Sequence, residues 1–570
     1  MSPTLQTLLP VAAGIAVVIV GILVFKLHAF LALLLAAAVT AAMTPQDLLW
    51  RNELERRSVL RRSAPNGREM ITLDVKEAAS LAVYSSTSRF GDPPIAWLER
   101  TRRGNATSLV VDDWPAINIP LELAGFELST PEFKVTPHHL VVTARENAEA
   151  RQYARRSVPA RLATAFGDTV GSIGFLIAFA AVIGMCLLDS GGADRIVRSA
   201  LNVVGERGAP LAFAGCGFLL GVPVFFDTVF LLMIPLGKAM HLRTTRNYIL
   251  YVLTIVCGAT MAHSLVPPTP GPLLVAEALD VEVGLMMFVG GIVGLFAAGY
   301  GILHAIVINR WITVPLRDTP EMPLKELEAL AAKPDHELPP LWLSLLPIVL
   351  PVWLIAQQTA LDMILTNPPA WLAGSTQPIP QYVVTAVNLL GEKNTAIGIG
   401  MVIALFLLVW QTRQSLGTLR DRVGTALASG GVIILITAAG GAFGDMLEQT
   451  GVAALLKQMP TLSPAALLSV AFLVTTAIRT AQGSATVAMI TAVGLFAGIE
   501  LPFHAVWLAV EIGCGSKPIS WMTDSGFWVI CKMSGMTETE TLKTLTPMTA
   551  MMGVVGLVVV IVGATLFPMS

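Results

Sequence analysis

Apolar runs long enough to cross a bilayer recur along most of the chain, and nothing else narrows the possible folds as much. A helix needs about 20 apolar residues to span roughly 30 Å of hydrocarbon. The clearest runs are 7–25, 28–43, 171–188, 283–308, 341–358, 396–410, 425–443 and 547–567. Four more, at 211–236, 248–280, 464–498 and 503–531, are interrupted by Gly and Pro. None alternates with period two, which sets aside a membrane β-barrel. The expected fold is an all-α polytopic membrane protein with about 10–14 transmembrane or re-entrant segments. Composition agrees: 13% of residues are charged, against about 25% in soluble domains.

The charge is concentrated in one place. Residues 44–160 hold 31 of the 76 Lys, Arg, Asp and Glu residues, as expected if that stretch alone lies in water. Its first part, Glu53 to Arg62, reads as helical, while 70–84, 107–111 and 139–143 read as strands, giving a small α+β or β-rich insert. A net charge of −2 gives no reason to bind nucleic acid. The five cysteines are scattered through apolar stretches without metal spacing, so neither a disulfide framework nor a metal site is expected. The first run lacks the positive start of a signal peptide and reads as one arm of a hairpin that stays in the membrane.

The expected division is therefore a transmembrane hairpin at 1–43, the soluble insert at 44–160, a first transport repeat at 161–315, a cytoplasmic loop with linking helices at 316–411, and a second transport repeat at 412–570. Short loops rich in Lys and Arg mark the cytoplasmic side. The loops 192–209, 238–247, 309–338 and 411–422 are positive, whereas 451–463 and 498–503 are not. That pattern places the insert outside. Arg151, Arg155, Arg156 and Arg161 run against it, but long loops cross regardless of charge.

An internal offset of 260 residues aligns Gly184–Gly191 with Gly444–Gly451, Gly221–Asp227 with Ala481–Val487, and His263–Pro268 with Thr523–Trp528. With two residues of drift, Gly291–Leu295 faces Gly553–Leu557. Together with opposite loop polarity, this points to inverted repeats, an arrangement in which secondary transporters bind substrate at mid-membrane on discontinuous helices. Broken backbone survives in hydrocarbon only where it lines a cavity or is buried in protein. The plainer alternative is that these small residues only allow close helix packing.

Several constellations can carry the chemistry. Asp227 follows Gly221-Val-Pro-Val-Phe-Phe inside an apolar run; an intramembrane acid marks a functional site by default, or is satisfied by N–H groups at the break. His263 and Ser264 precede a proline-dense stretch through Pro267 that cannot be a continuous helix; the histidine is a proton relay or a structural residue. Arg479, Gly483, Ser484 and Thr486 combine a cation with hydroxyls around a break, suited to a hydroxylated anion, unless the arginine only reaches for the interface. Glu511, Lys517 and Asp524, the last followed by Ser525, place ionisable groups at membrane depth. A buried lysine there demands a partner, which Glu511 or Asp524 can supply. Arg479, Gly483, Ser484, Thr486, Ser264, Pro267 and Ser525 are the expected substrate contacts. Asp227, His263, Asp524, Glu511 and Lys517 are the expected coupling residues. No phosphate-binding loop or catalytic motif competes, so an ion gradient is the expected energy source and no cofactor is called for.

At these motifs the chain resembles the gluconate permease family of bacterial gluconate:proton symporters. The matching text is Gly221–Asp227, Val266–Pro272, Gly440–Gly444, Gly483–Ala488, Asp524–Trp528 and Glu540–Thr544. Similarity extends over about 8–43 and most of 165–567. It implies proton-coupled uptake of gluconate or a related sugar acid across the bacterial inner membrane, in a fold like that of the wider ion-transporter superfamily, whose members commonly act as dimers with an elevator-like motion. The partners implied are a small anionic substrate, the lipid bilayer and a second copy of the chain. The chain departs from the family pattern at Thr269, at Trp521-Met-Thr-Asp524, at Lys517 and Glu511, and in having the insert. The expected function is a secondary active symporter moving a small hydroxy-carboxylate with H⁺, with a Na⁺-coupled carboxylate transporter as the alternative. A rival of another class is a membrane sensor that detects ligand through 44–160.

Overall fold

The computed structural model describes residues 3–58, 60–63, 70–74, 80–85, 88–94, 96–100, 108–111, 126–128, 139–244, 246–317, 337–366, 380–413, 416–451, 463–496, 499 and 501–569. Most of the positive loop 309–338, the loop 451–463 and the stretch 101–107 lie outside them. The chain forms two compact units, one of residues 1–15, 37–163 and 446–455, the other of 16–36, 164–445 and 456–570.

Helices α1 (Pro3–Leu23) and α2 (Ala29–Met43) carry the N-terminal apolar runs, and of them residues up to 15 and from 37 onward belong to the first unit. Pro45 then turns the chain into α3 (Gln46–Arg57), and the two segments bend by 95°. Seven strands follow: β1 (Leu60–Ser63), β2 (Met70–Asp74), β3 (Ser80–Ser85), β4 (Ala96–Arg100), β5 (Ser108–Val111), β6 (Phe126–Leu128) and β7 (His139–Thr143). They make two antiparallel sheets, β1-β2-β5 and β6-β4-β3-β7. Helix α4 (Ala144–Ala154) opens with a capping box between Thr143 and Glu146, which satisfies two otherwise orphaned N–H groups. Trp50, Leu54, Tyr84, Val142 and Ala150 pack as the core of this α+β insert. Arg161, one of the residues that ran against the outside placement, is buried; its guanidinium donates to Gln449 Oε1 (2.9 Å) and the Ala41 carbonyl (2.7 Å). Its charge is committed to structure.

The second unit is helical. It contains α5 (Val158–Asp189), α6 (Gly192–Gly221), α7 (Phe226–Thr244), α8 (Tyr248–Leu265), α9 (Pro270–Ala278), α10 (Val283–Trp311), α11 (Leu341–Thr366), α12 (Gln381–Gly391), α13 (Lys393–Thr412) and α14 (Leu416–Glu448). After these come α15 (Pro464–Gln482), α16 (Ala485–Phe496), α17 (Ala505–Gly515), α18 (Ser525–Ser534) and α19 (Glu538–Leu566). Among the described residues, eight helices are long and apolar enough to cross a membrane. Three shorter apolar helices of this unit, 464–480, 485–496 and 505–515, fall in the interrupted runs 464–498 and 503–531. The stretch 192–209, expected as a loop, is helical on both sides of a kink at Gly205, whose φ of 66° favours glycine. Likewise 238–244 belongs to α7 and 416–422 to α14.

Helix α8 is the axis of this unit, buried along nearly its whole length. It meets α6 so closely that a Cβ on Gly258 would collide with the Ala214 backbone. Breaks fall at 222–225, 266–269, 483–484 and 516–524. The offset of 260 carries the first to 482–485, over the third. It carries the second to 526–529, inside α18.

Candidate functional site

Each break starts a new helix, and four of those starts face one cavity of about 400 Å³. Phe226 and Asp227 open α7, Pro270 opens α9, Ser484 and Ala485 open α16, and Ser525 and Gly526 open α18; all line it. The breaks have local causes. Pro223 cannot continue α6, and Pro267, Pro268 and Pro270 interrupt α8, because proline lacks the N–H and clashes with the preceding turn. Gly483 ends α15 with φ of 81°, and a Cβ there would strike the Thr523 carbonyl. Pro518 follows α17, and Asp524 caps α18 by accepting from Gly526 N at 2.9 Å. Unpaired N–H groups and dipoles at helix starts favour an anion.

Two cations sit among these starts. Arg479, on the last turn of α15, is 4% exposed. Its Nε donates to the Ser516 carbonyl (3.1 Å), and Nη2 donates to Ser520 Oγ (3.3 Å) and to Asp524 Oδ2, which also accepts from Ser520. Nη1 is buried with no hydrogen-bond partner among the described residues, a donor left for a ligand. Lys517 is 5% exposed, and its Nζ donates to the Thr260 carbonyl (3.1 Å) and hydroxyl (3.0 Å). The expectation that Glu511 or Asp524 pairs with this lysine is thus corrected. Asp524 is taken by Arg479 and Ser520, and Lys517 reaches across to α8 instead. Glu511 is fully buried on α17, and neither carboxyl oxygen has a partner among the described residues.

Of the residues expected to bind or couple, Arg479, Ser484, Thr486, Ser525, Asp227, His263, Asp524 and Lys517 line the cavity. Gly483, Ser264, Pro267 and Glu511 do not. Gly483 shapes the break behind Ser484, whose hydroxyl accepts from Val487 N at 3.3 Å. Ser264 and Pro267 are buried at the end of α8. His263 packs edge-on against Phe225, with 6.4 Å between ring centroids, and its Nδ1 has no partner among the described residues. Sequence reasoning missed Thr260, Ser516 and Ser520. Thr260 was within reach of it, because it lies three residues before His263 and so on the same helix face. Ser520 had no local signal, since its role depends on contact with α15.

The GntP family permease profile matches residues 133–566. The chain is similar to a gluconate permease of Pseudomonas aeruginosa, 30% identical over 385 residues that cover 66% of this chain and 81% of the relative. It is also similar to the inner membrane permease YgbN of Escherichia coli K12, 29% identical over 391 residues covering 66% and 82%. Among solved structures, the YdaH transporter of Alcanivorax borkumensis aligns with a TM-score of 0.49 at 14% identity, covering 76% of this chain and 93% of that one.

Proposed function

Because the chain belongs to the GntP permease family, and is thus a multi-pass inner-membrane transporter and not an enzyme, we propose that it imports gluconate or a related sugar acid together with H⁺. The observation that carries this is the convergence of four helix starts, Arg479 and Lys517 on one cavity. Its volume lies at the lower end of the roughly 300–1,000 Å³ typical of small-molecule sites. The name of the Pseudomonas relative supports the substrate class.

In this reading the substrate carboxylate lies against the N–H groups at the start of α16, with Ser484 and Thr486 as hydroxyl partners and Gly483 keeping the backbone open. Arg479 Nη1 and Lys517 supply positive potential, and Ser525 meets the sugar hydroxyls from α18. Coupling rests on groups of the same cavity, Asp227, His263, Asp524 and Lys517. The stretches 161–315 and 412–570 act as inverted repeats whose broken helices alternate access against a fixed scaffold, and two copies of the chain assemble as a dimer.

Uptake into proteoliposomes across a panel of sugar acids, with imposed pH and Na⁺ gradients, tests the proposal. Accumulation of a sugar acid driven by an inward proton gradient is the expected result. Accumulation that follows Na⁺ instead moves the coupling to the other ion. Flux indifferent to both gradients removes the symport reading, and absence of flux for every sugar acid removes the substrate class.

A further inference from the structure

We propose that the transported proton rides on Lys517, so that each substrate carboxylate crosses with one proton and no net charge. This inference rests on the transport reading above. The ionisable groups around the cavity differ in what already compensates them. Arg479 and Asp524 are bonded to each other, and Asp524 also caps α18. Asp227 sits in the first turn of α7, where the helix dipole supports a carboxylate. Lys517 follows the C-terminus of α17, where the dipole favours a cation, but it has no carboxylate of its own. Its Nζ meets only the neutral oxygens of Thr260, and it forms no ion pair with any described residue.

The groups facing Lys517 sharpen the contrast. From α15 the guanidinium of Arg479, a like charge, lines the same cavity. From α8 it meets His263 and Thr260. From its own loop Asp524, already engaged, lines the cavity, and Cys514 lies three residues back on α17, its carbonyl accepting from Lys517 N (3.1 Å). Asp227 faces the same cavity from α7. An ammonium held in protein interior by two neutral acceptors is poorly compensated. A neutral amine loses nothing there: one N–H still donates to the Thr260 carbonyl, and the Thr260 hydroxyl can turn to donate to the nitrogen lone pair.

A substrate carboxylate changes that balance, because it brings the anion that the charged lysine lacks. Proton binding and anion binding therefore favour each other, and the favour is reciprocal. On the outer side a proton from solution joins the Nζ lone pair and the carboxylate settles beside the resulting ammonium. No covalent bond to the substrate forms. On the inner side the carboxylate leaves, the ammonium loses its counter-ion, and the proton follows. The empty carrier returns with a neutral lysine. Arginine at position 517 cannot take part in this cycle, because it keeps its proton.

The full chain in proteoliposomes, with radiolabelled gluconate as probe and an enclosed pH dye, provides the test. In the wild type, an inward gradient of one pH unit should accumulate gluconate up to about tenfold, since one unit is a factor of ten in proton activity. A potential set by potassium and valinomycin should leave that ratio unchanged. Lys517→Arg should lose accumulation, with an inside-to-outside ratio of about 1, while gluconate counterflow falls by a smaller factor. Wild-type accumulation that follows the imposed potential overturns the proposal, as does K517R that still accumulates about tenfold per pH unit. The potential measurement needs no variant and so tests the charge balance even if K517R fails to fold; Lys517→Met, which keeps the apolar stem but cannot hold a proton, then tests the carrier, and K517M that still accumulates about tenfold per pH unit overturns the proposal. Wild-type protein that moves neither gluconate nor any other sugar acid would instead refute the transport reading beneath it.

Discussion

The two halves of the transport unit break their helices by different means. At 222–225 the interruption is Val-Pro-Val-Phe, with no polar side chain at all. At 266–269 it is Val-Pro-Pro-Thr, buried, and among the described residues its one side-chain hydrogen bond runs from Thr269 Oγ1 to the Val266 carbonyl (2.8 Å). The second half breaks at Gly483-Ser484 and across 516–524, where polar bonds dominate. Arg479 holds Ser516, Ser520 and Asp524; Thr546 Oγ1 donates to the Ser520 carbonyl (2.5 Å); Trp521 Nε1 donates to the Thr480 carbonyl (3.0 Å). Proline makes a break without leaving an N–H to satisfy, so the first half is set by shape. The second half is set by polar bonds, of which those of Arg479 are charge-assisted and worth about 1.5–3 kcal/mol each, and Arg479, Ser516, Ser520 and Asp524 also face the cavity. Stability and chemistry are separable in the first half and fused in the second.

The sharpest way to break that comparison is Arg479→Ala. It strips Asp524 of its counter-ion and Ser516 of its donor, and breaking a buried pair from one side costs about 3–5 kcal/mol. Thermal unfolding in detergent should fall accordingly, with sugar-acid uptake abolished. An R479A protein that unfolds at the wild-type temperature would show that the second half does not depend on this network. Next in size is Gly483→Ala. The left-handed φ and the Thr523 carbonyl both oppose a Cβ, and strain of this kind costs about 1–3 kcal/mol. Uptake should fall with it, because the displaced backbone carries Ser484. The first-half counterpart is Thr269→Val, which removes one hydrogen bond at nearly constant shape. It should cost about 1 kcal/mol and leave uptake measurable. A T269V loss as large as that of R479A would erase the distinction between the halves.

How far the sequence carried the site follows from the same difference. Breaks made by proline and glycine announce themselves locally, which is why 221–227, 263–272 and 483–486 could be marked from residue types alone. Asp227, Ser484 and Asp524 were legible for a related reason: short oxygen-bearing side chains are favoured where helices start. The link from Lys517 to Thr260 was not legible. It joins residues 257 positions apart, and at sequence level the nearest acids, Glu511 and Asp524, were the natural partners. The stretch 192–209 misled in the opposite direction. Its charges read as loop, yet Asp194 and Arg198 pair at i,i+4 on a helical turn, and the break falls on Gly205 alone. Of the insert's described strands, β2, β3, β5 and β7 fall in stretches marked from residue type, whereas β4 and β6 carried no mark and β1 lies where Glu53 to Arg62 read as helical, since α3 ends at Arg57; their order in two sheets depends on pairings that no local pattern encodes.

The smallest expected effect belongs to Glu511, and it tests the border of the chemical half. This carboxyl lies six residues from Lys517 on the helix that leads into the 516–524 break, yet it is fully buried, has no partner among the described residues and does not line the cavity. A buried polar group without a partner costs about 1–3 kcal/mol, so a leucine of similar reach removes a liability and adds apolar contact. Glu511→Leu should therefore unfold at or slightly above the wild-type temperature and transport sugar acids with unchanged pH dependence. If E511L folds normally but its uptake loses the response to the proton gradient, then α17 itself carries protons. The charge-bearing machinery would then extend beyond the cavity walls, into a helix interior that now shows no polar contact for Glu511.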